Sequence, residues 1–277
     1  MPSSDSTQLS QERRYIAYGS RIHLHSDNPS LLDAATAHLP LGWVPLTSPP
    51  SGGIEGGQEV EFVYRLQQKR GEAEAYQLFY NDELLSQRSH LPQLLTIFEN
   101  HAELYSAYHA KDYLFIHAGV VGWQGQAILI PGRSMSGKTS LTDALIHAGA
   151  TYYSDEFALI DPEGFVHPYP VPLSIRKDGA LVGEKHALEK LGIQPGTTPL
   201  PVGLILIAKY QRYARWKPET LSPAETMLSL MDNAVAANRD PEFSMPILKK
   251  VVSRAKAISS KRGEAKRVAR AILEELQ

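Results

Sequence analysis

The sequence predicts an α/β core behind a small α+β module, and three observations predict it. Ala127-Ile128-Leu129-Ile130 is a short, β-branched apolar run, followed by a glycine-bearing segment and then by apolar residues at 141, 144, 145 and 148. That order is strand, loop, helix. Residues 15–25, 61–66 and 75–80 are rich in tyrosine, phenylalanine and β-branched residues, and the end of the first run alternates apolar with polar, as strands do. Val202-Gly203-Leu204-Ile205-Leu206-Ile207 is a further apolar run that reads as a buried strand.

Residues 1–12 are polar and are expected to form a disordered tail. Strands over 15–25 follow, then a short helix over 31–38. Residues 47–58 hold two prolines and four glycines and read as a loop. The strands 61–66 and 75–80 are expected to pair as a hairpin. Residues 91–110 carry apolar side chains at 94, 95, 97, 98, 102 and 104, which is a helix. Residues 13–110 therefore make up the N-terminal α+β module and 111–277 the second domain. The second domain opens with a strand over 113–121, turns at Gln124-Gly125 and enters the strand over 127–130. Gly149 is a C-cap for the helix behind the loop, and Thr151-Tyr152-Tyr153-Ser154 is a short strand. Ser222-Pro223-Ala224-Glu225 is a capping box with proline at the first helical position, opening a helix to about residue 236. Helices near 245–258 and 263–276 close the chain. There is no internal repeat and no low-complexity segment.

Gly132-Arg133-Ser134-Met135-Ser136-Gly137-Lys138-Thr139 matches the full pattern of a phosphate-binding loop, and its flanking strand and helix supply the context that the pattern requires. Glycines let backbone N–H groups curl around phosphate oxygens. The helix N-terminus adds partial positive charge at the same place. A lysine at position 138 reaches the β- and γ-phosphates, and a threonine hydroxyl at 139 holds Mg²⁺. The candidate nucleotide contacts are Gly132, Arg133, Ser134, Met135, Ser136, Gly137, Lys138, Thr139, Ser140 and Arg176. Arg176 serves equally well as the end of a strand.

Asp155-Glu156 follows the short strand over 151–154. If that strand pairs beside the strand entering the loop, its C-terminal end lies at the sheet edge where such folds bind ligands. Two carboxylates there can divide the work, one orienting or deprotonating an attacking hydroxyl and the other helping to hold Mg²⁺. His117 sits in an apolar run and on its own reads as a strand histidine. His23 and His25 share a strand face, but two histidines without a third ligand make no metal site.

Residues 113–176 resemble the catalytic core of the HPr kinase/phosphorylase family and its shorter relatives, the HPr-kinase-like serine kinases. His117-Ala118 precedes Gly132 by fifteen residues, and Asp155-Glu156 begins seventeen after Lys138; both spacings are those of the family. The proline-punctuated run Pro168-Tyr169-Pro170-Val171-Pro172-Leu173-Ser174-Ile175-Arg176 matches the shorter relatives. The resemblance implies a P-loop core of the HPr kinase/PEP carboxykinase type that uses ATP and Mg²⁺. It implies Asp155 as catalytic base, Glu156 with Thr139 around the metal, and His117 with Lys138 near the phosphates. The chain departs from the family at Met135, where a glycine is usual, at Ser140, where an acid often follows the loop, and at Glu156, where the second acid is aspartate.

Composition sets the outer bounds. The chain has 277 residues, a net charge of −2 and no cysteine. Disulfides and thiolate metal sites are excluded, and a cytoplasmic location is expected. The polar N-terminus shows no apolar signal segment, and no apolar run is long enough to span a bilayer. The basic residues between Lys249 and Arg270 have no interleaved aromatics for base stacking, so they read as a solvated helix face and not as a nucleic-acid surface. The expected function is ATP-dependent phosphoryl transfer to a serine or threonine hydroxyl on a protein or peptide. The alternative is a nucleotide-sensing regulatory module without efficient transfer. Homo-oligomerisation is left open.

Overall fold

Burial alternates with period two along β-strands of the first half of the chain, whereas the central strands of the second half are buried on both faces. The computed structural model describes residues 11–46, 61–69, 75–132, 136–175 and 184–276. The expected loop over 47–58, residues 1–10 of the expected tail, and the candidates Arg133, Ser134, Met135 and Arg176 lie outside the described residues. The chain is mixed α/β, and its contacts divide it into two units, Met1–Lys111 and Asp112–Gln277. Among the described residues no helix is long and apolar enough to cross a membrane.

The first unit runs β1 (Gln11–Ala17), β2 (Ser20–Ser26), α1 (Pro29–Thr36), β3 (Val44–Pro45), β4 (Glu61–Lys69), β5 (Ala75–Tyr80), β6 (Glu83–Arg88) and α2 (Leu91–His109). Its six strands form one sheet in the order β3-β1-β2-β4-β5-β6. β2 and β4 pair in parallel. β1–β2 and β5–β6 are hairpins whose turns, Tyr18-Gly19 and Asn81-Asp82, have both residues at positive φ, the turn whose twist suits a two-residue hairpin. Ile22 and Leu24 are buried while His23 and His25 on the same strand point to the other face. The buried face packs Leu24, Leu66 and Leu78 with Leu94 and Phe98 of α2. One expectation is corrected here and one strand is added. Gln11 and Glu12 are strand, paired with Ser26 and His25, because cross-strand bonding to β2 organises residues whose own composition is that of a tail. β6 is a strand that the sequence hides, since Leu84 and Leu85 break the alternation and stay largely exposed on an edge.

The second unit runs β7 (Leu114–Trp123), β8 (Gln126–Pro131), α3 (Lys138–His147), β9 (Thr151–Ser154), β10 (Phe157–Ile160), β11 (Phe165–His167), β12 (Leu173–Ile175), β13 (Glu184–His186), β14 (Leu200–Tyr210), β15 (Glu219–Thr220), α4 (Pro223–Met231), α5 (Pro241–Arg254), β16 (Lys256–Arg262) and α6 (Ala265–Glu274). The main sheet has the order β11-β10-β7-β8-β14-β16-β15. β14 pairs in parallel with both β8 and β16, so the C-terminal ends of those three strands share one edge. Along β8, Ala127 and Leu129 face a cluster with Leu230, Ile247, Leu248 and Val251 of α4 and α5. Ile128 and Ile130 face the opposite cluster, with Leu141 and Leu145 of α3 and Val268 and Ile272 of α6. Helices thus cover both faces of the parallel strands, as they must when both faces are apolar.

Three further expectations change in this unit. The helix opened by the Ser222 capping box is present with both reciprocal bonds, but it ends at Met231, not near 236. The helix expected over 245–258 starts earlier, at Pro241 behind an Asp240 cap, and stops at Arg254. Residues 256–262, divided between the end of one expected helix and the gap before the next, are the parallel strand β16. Its burial of Ala257, Ile258 and Ser260 against β14 outweighs the helical propensity of its neighbours.

Candidate active site

The C-terminal edge of β8, β14 and β16 gathers most of the described candidate residues. Gly132 leaves β8 with its N–H donated to the His117 carbonyl on β7 at 3.1 Å. Gly137 adopts φ +87°, ψ 19°, a left-handed conformation that suits glycine, and turns the chain into α3. Its side chain-free Cα also makes room for Arg262, whose Nη2 would lie 2.7 Å from an added Cβ. Gly137 gives α3 no side-chain cap, so the first-turn amides of that helix form a donor set with the positive end of the helix dipole behind them. Ser136, Gly137, Lys138 and Thr139 are partly buried; Ser140 lies exposed on the first helical turn.

Lys138 Nζ donates to the Gly132 carbonyl at 2.6 Å, folding the lysine over the segment it belongs to. Burial lowers its pKa, and the carboxylates of Glu156 and Asp155 oppose that shift. Asp155 and Glu156 arrive by a different route from the one the sequence predicts. β9 does not pair beside β8; it pairs antiparallel with β7, which is itself antiparallel to β8. Two reversals restore the direction, so the end of β9 still reaches the same edge, one strand further over. The chain bends at Asp155-Glu156 and continues along β7 as β10. Ser154 Oγ accepts the N–H groups of Glu156 and Phe157 at 3.3 and 3.2 Å, and Ala118 N–H donates to the Glu156 carbonyl at 3.2 Å. These bonds fix the bend against β7.

Asp155 is only 6% exposed. Burial pushes its carboxyl up to about 6, partly offset by a hydrogen bond from the Thr139 hydroxyl and by Lys138, while Glu156 adds to the rise. Among the described residues its Oδ1 makes no hydrogen bond of ordinary geometry, nor does the Thr142 hydroxyl, yet Thr142 lies close enough to favour the ionised carboxyl. Gly119 on β7 is what lets these groups meet: a Cβ there would stand 2.4 Å from Thr142 Oγ1 and 3.7 Å from Asp155 Oδ1. Glu156 sits at the rim with its side chain 52% exposed. Its pKa is also raised, by desolvation, against the pull of Lys138 and Lys185. His117 Nδ1 lies 3.8 Å from Glu156 Oε1, and its ring packs on Phe157 at 4.6 Å. Burial first, and Lys138 second, hold its pKa below the usual histidine value, so at neutral pH it faces Glu156 as a neutral ring. Lys138, Thr139, Asp155, Glu156 and His117 thus lie together.

Two residues of this neighbourhood carry no sequence signal. Arg262, read from sequence as part of a solvated basic face, is 2% exposed at the end of β16. It donates to the Gly137 carbonyl at 2.8 Å and to the Gly263 carbonyl at 3.0 Å. Only the parallel pairing of β16 with β14 carries it to the edge, and that pairing is invisible in a run as polar as 256–262. Lys185, on the β12–β13 hairpin, is close enough to Glu156 to act on its charge, and its local sequence is featureless.

The oxygen-rich set of Thr139, Asp155 and Glu156 suits a hard divalent ion such as Mg²⁺. Burial costs the Asp155 carboxylate solvation that a cation beside it would offset.

No family model matches the chain, and no curated protein matches it. A search of solved structures finds the HPr(Ser) kinase/phosphatase from Coxiella burnetii, at 14% identity over 58% of this chain and 86% of that one, with a TM-score of 0.32.

Proposed function

We propose that this protein binds ATP with Mg²⁺ at the 132–139 segment and transfers the γ-phosphoryl group to a serine or threonine hydroxyl of a protein or peptide. The observation that carries this reading is the buried carboxylate of Asp155, held beside Lys138 and Thr139 at the start of α3. Lys138 and the first-turn amides of α3 hold the β- and γ-phosphates. Thr139 and Glu156 provide oxygen ligands for Mg²⁺, which when bound neutralises phosphate charge. Asp155 is ionised at neutral pH yet more basic than an exposed aspartate, the compromise a general base needs. The acceptor oxygen bonds to the γ-phosphorus, the bond from that phosphorus to the β–γ bridging oxygen breaks, ADP leaves, and the hydroxyl proton passes to Asp155. Neutral His117 is free to donate one N–H toward a phosphate oxygen. Arg262 keeps the Gly137 peptide oriented so that the amides following it face the phosphates.

Calorimetry with ATP and Mg²⁺ tests the binding half of this proposal. Wild type is expected to bind with one site per chain, and Lys138→Ala to lose most of that affinity. Equal binding by both proteins, or none by the wild type, removes the reading. Binding without transfer would leave nucleotide sensing as the function.

A further inference from the structure

The outward face of the N-terminal sheet carries a second cluster of ligating side chains, independent of the site described above. His23 and His25 alternate with buried Ile22 and Leu24 on β2, so both rings stand, partly buried, on the opposite face. The rings lie parallel, 6.2 Å apart. β1 supplies a third group: Glu12 is the direct cross-strand partner of His25. Glu12 Oε1 lies 2.5 Å from His23 Nδ1 and 3.8 Å from His25 Nε2. One donor atom from each of the three residues fits within 4.8 Å of the others. Ligands about 2.0–2.1 Å from a tetrahedral ion stand roughly 3.4 Å apart, and the two separations from Glu12 bracket that value. Behind the cluster, His23 Nε2 lies 2.6 Å from Glu61 Oε1 on β4. A carboxylate on the far nitrogen of a ligating histidine fixes its tautomer and raises its basicity.

We infer that Glu12, His23 and His25 form a site for a divalent transition-metal ion of the zinc class. His23 coordinates through Nδ1 with its Nε2–H on Glu61, His25 through Nε2, and Glu12 through a carboxylate oxygen. Two imidazoles and one carboxylate suit Zn²⁺, Co²⁺, Ni²⁺ or Cu²⁺ better than the hard ions. Three protein ligands leave a coordination position for water. Arg14 competes with the ion, because its Nε and Nη2 hold the two Glu12 oxygens at 2.9 and 3.0 Å. An ion-pair network of the same residues is the rival account, and Arg14 separates the two.

The test is calorimetric titration of the full chain with ZnCl₂, in excess Mg²⁺ and a buffer without phosphate, together with the absorption spectrum of the Co²⁺-loaded protein. The inference predicts one zinc per chain and an intense Co²⁺ spectrum of low coordination number. Glu12→Gln and His25→Gln each weaken zinc at least about tenfold, and Arg14→Gln tightens it. The idea is overturned if the wild type takes up no zinc, or if the His23→Gln/His25→Gln double variant binds it with wild-type affinity. Should the variants fail to fold, the wild-type Co²⁺ spectrum decides: only weak six-coordinate bands sink the site.

Discussion

Replacing Asp155 by asparagine should stabilise this protein, and should do so only above the acid range. The carboxyl titrates at about 6 in the folded chain, against 3.8 for an ordinary aspartate, because it is buried beside Glu156. The folded state therefore binds the proton more tightly than the unfolded state. Between those two values native molecules hold more protons than unfolded ones, so stability falls as pH rises through the window and the full cost is present above about pH 6. A difference of about two pKa units, at about 1.4 kcal/mol each, amounts to roughly 3 kcal/mol. Asparagine keeps the shape and the acceptor for Thr139 but cannot ionise. Urea or thermal unfolding in EDTA, without nucleotide, should show Asp155→Asn more stable than wild type at pH 8 by on the order of 3 kcal/mol. For a unit of this size that is about 6–12 °C in midpoint. The gap should close near pH 4. A variant no more stable than wild type at pH 8, or one gaining equally at both pH values, would refute the electrostatic reasoning. A destabilising carboxylate kept in place is also what a site under functional demand looks like.

Gly119→Ala should cost about 1–3 kcal/mol, since the new Cβ meets Thr142 Oγ1 at 2.4 Å. Adding Thr142→Ala should recover much of the loss in a thermal melt, and no recovery would place the strain elsewhere. Arg262→Gln removes a charged donor from the Gly137 carbonyl, and a bond of that kind is worth about 1.5–3 kcal/mol. ATP affinity by calorimetry should fall about tenfold or more, with Arg262→Lys only partly restoring it. Unchanged affinity in Arg262→Gln would detach β16 from the site.

The local units of this fold were legible because each carries its own chemistry. The run over 127–130, the glycines at 132 and 137, and the apolar spacing over 141–148 mark a strand, a turn and a helix without help from the rest of the chain. The Ser222 capping box is equally local, and it forms. What stayed hidden depends on partners distant in sequence. Lys256 to Arg262 becomes a strand only because β14 offers it a parallel edge, and that pairing alone converts Arg262 from a surface cation into a buried donor. The position of Asp155 was anticipated at the right edge through the wrong neighbour: strand direction follows from counting reversals, whereas adjacency depends on which edge β9 finds. His23 and His25 lacked a third ligand until the β1–β2 register set Glu12 opposite His25, and no spacing rule reaches across a hairpin whose first strand begins in residues that read as a tail.

The central claim is transfer of a phosphoryl group with Asp155 as base. It is tested most directly by incubating wild type and Asp155→Asn with γ-labelled ATP, Mg²⁺ and a lysate of the source cells, with nucleotide binding measured in parallel. The account predicts label on serine or threonine of a discrete polypeptide with the wild type. It predicts a rate lower by about 10²–10⁴ with Asp155→Asn, at ATP affinity equal to wild type or slightly better. Labelling by Asp155→Asn at the wild-type rate, or no labelled polypeptide with a wild type that binds ATP, would contradict it.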